Sequence, residues 1–284
     1  MGFNYKLAEE IISCFNQVDP SETIDSLTYL EWSDSAETIL ELLKTNVNAV
    51  LEPQKYTLLH SFCSTYLYYY LMHERWFLLD ELCDDLDSEM IIDYIGRVAS
   101  ILVEYGIATQ DYEKNIRLFD KKYEASNYEL DHEYKNLVGT IFDELLTHFE
   151  AIEDYIVDAT FYLLYDNKEF LFKFNKYISQ FVTTATLPND CFDKNGHVIR
   201  AKYIPKWLKR AVYYRDRGRC QHCGKDLSGQ FSIPEDGELH YDHIIPLEQG
   251  GTNDATNFQL LCRKCNLKKS GNLFFPDYHY QMYW

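Results

Sequence analysis

The sequence predicts a mainly α protein in two parts: a large all-helical domain over residues 1–190, and a small unit of two strands and a helix over residues 196–284. Three observations carry this reading. Apolar residues recur at spacings of three and four through most of the first part, the period of a helix with one buried face. The charge changes sign along the chain: residues 1–195 hold 14 Lys+Arg against 36 Asp+Glu, whereas residues 196–284 hold 13 against 9. Finally, four of the eight cysteines stand as two C-x-x-C pairs, Cys220/Cys223 and Cys262/Cys265, both in the second part.

The composition suits a folded chain. With 284 residues, 46% apolar and 16% aromatic, and only 12 Gly and 7 Pro, it can bury a core and lacks the bias of a disordered or fibrous protein. No apolar stretch approaches the roughly 20 residues a bilayer requires, and the start MGFNYKLAEE lacks an apolar core for export, so a cytoplasmic protein with no membrane contact is expected. In that setting Cys14, Cys63, Cys83 and Cys191 read as reduced, mostly buried thiols.

The helical elements follow in order. Leu7, Ile11, Ile12 and Phe15 make one face. Ile39, Leu42, Leu43 and Val47 make the next, with Asp34 and Glu37 placed as an N-terminal cap. A third run, Ile91, Ile92, Ile95, Val98, Ile101 and Leu102, starts near Ser88 and stops at Gly106. The fourth periodic region runs from about Asp131 towards Phe181, too long for one ordinary helix, and Asp166-Asn167 is the expected break. Asp19-Pro20-Ser21 is the clearest early turn.

No active site stands out in this part. Tyr66, Tyr68, Tyr69 and Tyr70 read as core packing, because an acidic domain repels the phosphates that base stacking would bring with it. His60, Cys63, His73 and Cys83 read as ordinary side chains, and the acidic run Asp84, Asp85, Asp87, Glu89 as a solvated loop.

The second part is more specific. In IPKWLKRAVYYRDRGRC a basic helix leads into the first cysteine pair, with Arg210, Arg215 and Arg219 among its phosphate-facing cations. Each C-x-x-C has the spacing of a zinc knuckle, and four thiolates saturate tetrahedral Zn²⁺, so the site is structural. Between the pairs, Leu239 to His243 and Phe258 to Leu261 read as strands, and Gly250-Gly251 and Asn253-Asp254 as turns. Arg263 to Ser270 suits a short helix, completing a ββα unit pinned by zinc.

The residue types suggest phosphodiester chemistry. Asp242 is a hard oxygen ligand and Asn266 offers another from the facing helix, leaving a divalent ion open to phosphate and water. His243 points to the opposite face of its strand from Asp242, which suits a base acting on water better than a metal ligand. Asn257 can hold the loop and orient His243, while Arg263, Lys268 and Lys269 can meet backbone phosphates.

On these residues, the segment from about Arg210 to Gly271 resembles an HNH endonuclease domain of the ββα-metal superfamily, in its four-cysteine zinc form. The matching elements are Arg215-Asp216, Gly218, Cys220, Cys223, Asp242-His243-Ile244, Pro246, Gly250-Gly251, Asn257, Cys262, Cys265, Asn266 and Lys269. The resemblance implies His243 as general base, Asp242 and Asn266 as ligands of a catalytic Mg²⁺ or Mn²⁺, Asn257 as the central asparagine, DNA as substrate, and 5′-phosphate and 3′-hydroxyl products. The motif's last position is Asn266 rather than His. HNH domains joined to a domain of unfamiliar type are found in bacterial anti-phage and restriction systems, which implies a helical domain that senses, docks a protein partner or restrains the nuclease. The alternative is a zinc module that anchors a complex to DNA without cutting it.

Overall fold

The computed structural model of the protein describes residues 2–16, 35–76, 79, 88–107, 112, 114–117, 131–229 and 237–273. Asp34, the Asp19-Pro20-Ser21 turn, Cys83 and the run Asp84, Asp85, Asp87 lie outside them. The described elements are mainly helical: α1 (Phe3–Asn16), α2 (Ser35–Thr45), α3 (Val47–Leu51), α4 (Leu58–Trp76), α5 (Ser88–Glu104), α6 (Asp131–Tyr165), α7 (Lys168–Phe181), α8 (Lys206–Arg215), β1 (Leu239–His243), β2 (Phe258–Cys262) and α9 (Arg263–Lys269). No helix among the described residues is long and apolar enough to cross a membrane.

The apolar spacing translates directly into buried faces. Leu7, Ile11 and Phe15 of α1 are at most 2% exposed, as are Ile39 and Leu43 of α2. Val47, read above as part of the α2 face, opens α3 instead, because Asn46 turns its side-chain amide back onto the Leu42 carbonyl at 2.9 Å. At the end of α5 the N–H of Gly106 donates to Val103 and that of Ile107 to Leu102, each at 3.0 Å. Gly106 takes φ 79°, the left-handed conformation that closes a helix in this way. The break at Asp166-Asn167 falls between α6 and α7, and Asn167 caps α7 by accepting from the Phe170 N–H at 3.0 Å.

The chain forms two compact units. The first comprises Met1–Leu7 and Cys63–Ala159. Its core is Tyr70, Ile91, Ile95, Leu102, Val138, Phe142, Leu145 and Phe149, with the Phe3 ring against Tyr70 and Phe149. The tyrosine run divides here: Tyr70 is buried, but Tyr68 is 60% exposed, because positions two apart on a helix point in different directions.

The second unit comprises Ala8–Phe62 and Thr160–Trp284, so the charge change near residue 190 falls inside it. Phe15 packs edge-on against Phe62, Phe170 and Tyr177, with ring centroids 5.2–5.7 Å apart. His60 is a core residue, bonded to Thr57 and stacked on Phe161 at 3.7 Å. β1 and β2 pair antiparallel with Asp242 opposite Gln259 and His243 opposite Phe258. α9 contacts both strands and α8 contacts β2, which leaves β2 buried along its whole length.

Candidate active site and metal centre

The first cysteine pair sits on a tight turn after α8. The Cys220 N–H donates to the Lys225 carbonyl at 3.0 Å and the Gly224 N–H to the Cys220 carbonyl at 2.9 Å, so the loop folds back with both sulfurs on one side. The second pair opens α9, where the Cys262 sulfur accepts from the Cys265 N–H at 3.4 Å. The ligand atoms of Cys220, Cys223, Cys262 and Cys265 all lie within 4.8 Å of one another. Four thiolates at that spacing fit a tetrahedral zinc ion and leave no open position, which makes this a structural centre.

Arg215 and Asp216 fasten α8 to β2. The guanidinium donates to both Asp216 carboxylate oxygens, at 2.8 and 3.1 Å, and to the Phe258 carbonyl at 2.6 Å. Asp216 in turn accepts the Leu260 N–H at 2.7 Å. Burial opposes the charge on Arg215, but Asp216, Tyr165 and Asp166 together outweigh it and raise the guanidinium pKa. This corrects the expectation that Arg215 meets phosphate: its side chain is 3% exposed and its Nε and Nη2 donors serve the fold.

Asn257, fully buried, works as a clip. Its Oδ1 accepts from the Ile245 N–H at 2.8 Å, and its Nδ2 donates to the Ile245 and Thr252 carbonyls at 3.0 and 2.8 Å. Both faces of the amide thereby tie the loop from Ile245 to Thr252 to the start of β2. The backbone runs close enough here that a Cβ on Gly251 would sit 2.0 Å from the Ile245 carbonyl oxygen.

His243 ends β1 and is 3% exposed. Its Nε2 lies 3.2 Å from Asn253 Oδ1 and its Nδ1 lies 3.5 Å from Arg200 Nη1. Burial pulls the imidazole pKa down to about 3; Arg200 adds to the effect, the Asn253 bond opposes it, and Lys269 adds further. The ring is therefore neutral at cell pH.

On the other face of β1, α9 meets the strand two residues at a time. Asn266 Nδ2 lies 3.3 Å from His240 Nδ1, and one helical turn on, Lys269 Nζ donates to Asp242 Oδ2 at 2.6 Å and to the His243 carbonyl. Asp242 and Asn266 thus stand on facing elements, a carboxylate and an amide of the oxygen-donor chemistry that suits a hard divalent ion. Burial lowers the Lys269 pKa and Asp242 opposes it.

Residues 220–271 match the family model of the HNH endonuclease. No curated protein and no solved structure matches the chain. The matched residues lie within the second compact unit, together with the four-cysteine centre.

Of the cations expected to face phosphate, Arg210, Arg263 and Lys268 are exposed on the HNH segment and its lead-in helix. Arg219 instead folds onto the knuckle, donating to the Gly224 carbonyl at 3.1 Å. Lys269 is a second correction, since it is 2% exposed and its ammonium is spent on Asp242 and the β1 backbone.

Two residues at the site escaped the sequence reading. Arg200 lies outside the HNH match and carries no local signal. Asn253 was legible only as turn chemistry, yet its Oδ1 faces His243 Nε2. Its neighbour Asp254 is also fully buried, accepting from the Leu58 N–H at 2.9 Å and from Thr256 N and Oγ1 at 2.9 and 2.5 Å.

Proposed function

We propose that this protein is a metal-dependent endonuclease that hydrolyses DNA phosphodiester bonds, with its helical part serving as a regulatory or partner-binding element. The observation that carries the reading is the match of residues 220–271 to the HNH endonuclease model, with His243 and the carboxylate of Asp242 on opposite faces of one strand within it.

In this reading His243 takes a proton from a water molecule, whose oxygen attacks phosphorus; the bond to the 3′ oxygen breaks and that oxygen leaves with a proton from solvent. Asp242 and Asn266 would hold Mg²⁺ or Mn²⁺. Bound there, such an ion supplies Lewis-acid stabilisation of the pentavalent phosphorus and the departing oxygen. Asn257 keeps the loop beside the base in place, while Arg210, Arg263 and Lys268 take up backbone phosphates. The acidic helical part cannot add phosphate affinity, which favours restraint or recruitment of a protein partner as its task. Anti-phage defence or restriction is the setting the domain combination suggests.

A second reading, a zinc module that anchors DNA without cutting it, draws on the burial of His243 and the engagement of both its ring nitrogens. One assay separates the two: purified full chain with supercoiled plasmid in Mg²⁺ or Mn²⁺, beside His243→Ala and an EDTA control. Nicked or linear product that requires both His243 and metal supports the endonuclease. Binding with no cleavage by zinc-loaded protein supports the anchor.

A further inference from the structure

Asn253 is fully buried and its side-chain amide is committed on every side. Its Nδ2 donates to two backbone carbonyls, Leu51 at 3.0 Å and Ile199 at 2.7 Å. Its Oδ1 accepts from the Ala201 N–H at 3.1 Å and faces His243 Nε2 at 3.2 Å. Its own backbone N–H donates to the Val50 carbonyl at 2.9 Å.

These partners leave the amide one orientation. Carbonyls accept only, so the NH₂ group must face Leu51 and Ile199, and the Ala201 N–H donates only, so the oxygen must face Ala201. An amide oxygen facing an imidazole nitrogen at hydrogen-bond distance requires that nitrogen to carry the proton. His243 is therefore the Nε2–H tautomer. The other side of the ring agrees, because Arg200 has donors alone and can sit against Nδ1 only if Nδ1 presents its lone pair. The Val50 and Leu51 carbonyls belong to the last turn of α3, where helix carbonyls lack partners of their own, and Asn253 supplies them.

We propose that Asn253 is the positioning residue for His243. It holds the ring in the Nε2–H form, which leaves the ring's lone pair on Nδ1, and it does so through the same amide that binds the α3 terminus. The catalytic part of this proposal rests on the endonuclease reading; the tautomer and its dependence on Asn253 do not. The consequence is a short physical link, two hydrogen bonds long, between a helical segment near residue 50 and the base near residue 243. A change in the α3 end would reach the base without touching the metal ligands or the zinc.

The test joins two measurements on the full zinc-loaded chain. Nitrogen NMR of histidine-labelled protein, with His243 assigned by its loss in His243→Ala, reads the tautomer directly. The expected result is a protonated Nε2 and a bare Nδ1 in wild type, in Asn253→Asp, which keeps the acceptor, and in Arg200→Ala, which keeps the Asn253 bond, and a mixture of tautomers in Asn253→Ala combined with Arg200→Ala, where neither partner of the ring remains. A protonated Nδ1 in wild type overturns the proposal whether or not the protein cuts DNA.

Plasmid cleavage then reads the catalytic half. Asn253→Ala lowers kcat at least about 10-fold with KM little changed, no further than the loss of a general base allows. In a His243→Ala background the same substitution has no additional effect on kcat, because it acts through the base. An equal loss in both backgrounds would mean that Asn253 merely holds the fold and would overturn its positioning role. If wild type fails to cleave while the NMR result holds, the endonuclease reading fails, and with it the catalytic role assigned to Asn253, and the tautomer assignment stands.

Discussion

Asp254 accepts the backbone N–H of Leu58 at 2.9 Å across 196 positions of sequence. Leu58 opens α4, so the carboxylate of a loop inside the HNH segment serves as the N-terminal cap of a helix from the far end of the chain. Asn253, its neighbour, donates to the carbonyls at the end of α3. One dipeptide therefore satisfies the orphan acceptors of one helix and an orphan donor of the next, with the acidic member at the positive end of the α4 dipole. Thr256 extends the contact, its carbonyl accepting from Asn175 of α7 at 3.3 Å.

Removing the cap is expected to cost about 1–3 kcal/mol, the loss of a capping bond together with a buried N–H left unpaired. Urea denaturation of Asp254→Ala should show a lower midpoint at unchanged slope. A midpoint equal to that of wild type would mean that the loop does not support α4.

The same carboxyl gives a pH dependence. Burial holds Asp254 above the usual carboxylate range, with the donors Thr256, Leu58 and Ala255 pulling the other way. The folded state then binds this proton more readily than the unfolded one, so this group's contribution is full below the ordinary carboxylate pKa and declines as pH rises through the raised value. The stability advantage of wild type over Asp254→Asn should accordingly shrink between acid and neutral pH. An advantage that grows with pH would place the folded-state pKa below the ordinary value.

Excising residues 196–284 should yield a poorly folded product. Asn253, Asp254, Thr256 and Asn257 are at most 0% exposed in the intact chain, and the first three lose the partners from residues 50–58 and 175 just described. Rapid proteolysis of the fragment at a zinc load that protects the full chain is the expected observation, and protease resistance equal to that of the full chain would contradict it.

Zinc should be held at one ion per chain and lost with Cys262→Ser. Because the same cysteine ends β2 and caps α9, loss of the metal should loosen the sheet as well. Metal analysis with hydrogen exchange over residues 239–262 reads both effects. Full protection of the sheet in metal-free protein would show that the zinc is dispensable for it.

The two neighbouring arginines should part company. Arg215→Ala leaves Asp216 buried and unpaired, at a cost of about 3–5 kcal/mol. Arg210→Ala, on the exposed side of α8, should change stability little and weaken DNA binding with a shallower salt dependence. Equal stability losses in the two variants would contradict the burial of one and the exposure of the other.

What the sequence determined by itself is whatever short-range physics dictates. Leu7, Ile11 and Phe15 announce a buried face because a helix repeats every 3.6 residues, and Asn167 announces a break because its amide competes for backbone donors. The C-x-x-C pairs, Asp242-His243 and Asn266 were legible for the same reason, since a knuckle turn or a strand end is encoded within a few residues. The tertiary structure alone decided direction and partnership. Arg210 and Arg215 look alike in the chain, and only the packing of α8 on β2 turns one outward and seals the other against Asp216. Lys269 reads as a phosphate contact until α9 lies across β1 and Asp242 claims its ammonium. Asn253 reads as a turn residue until residues 50–51 and 199–201 arrive beside it, because a hydrogen bond depends on distance in space and leaves no trace in the local sequence.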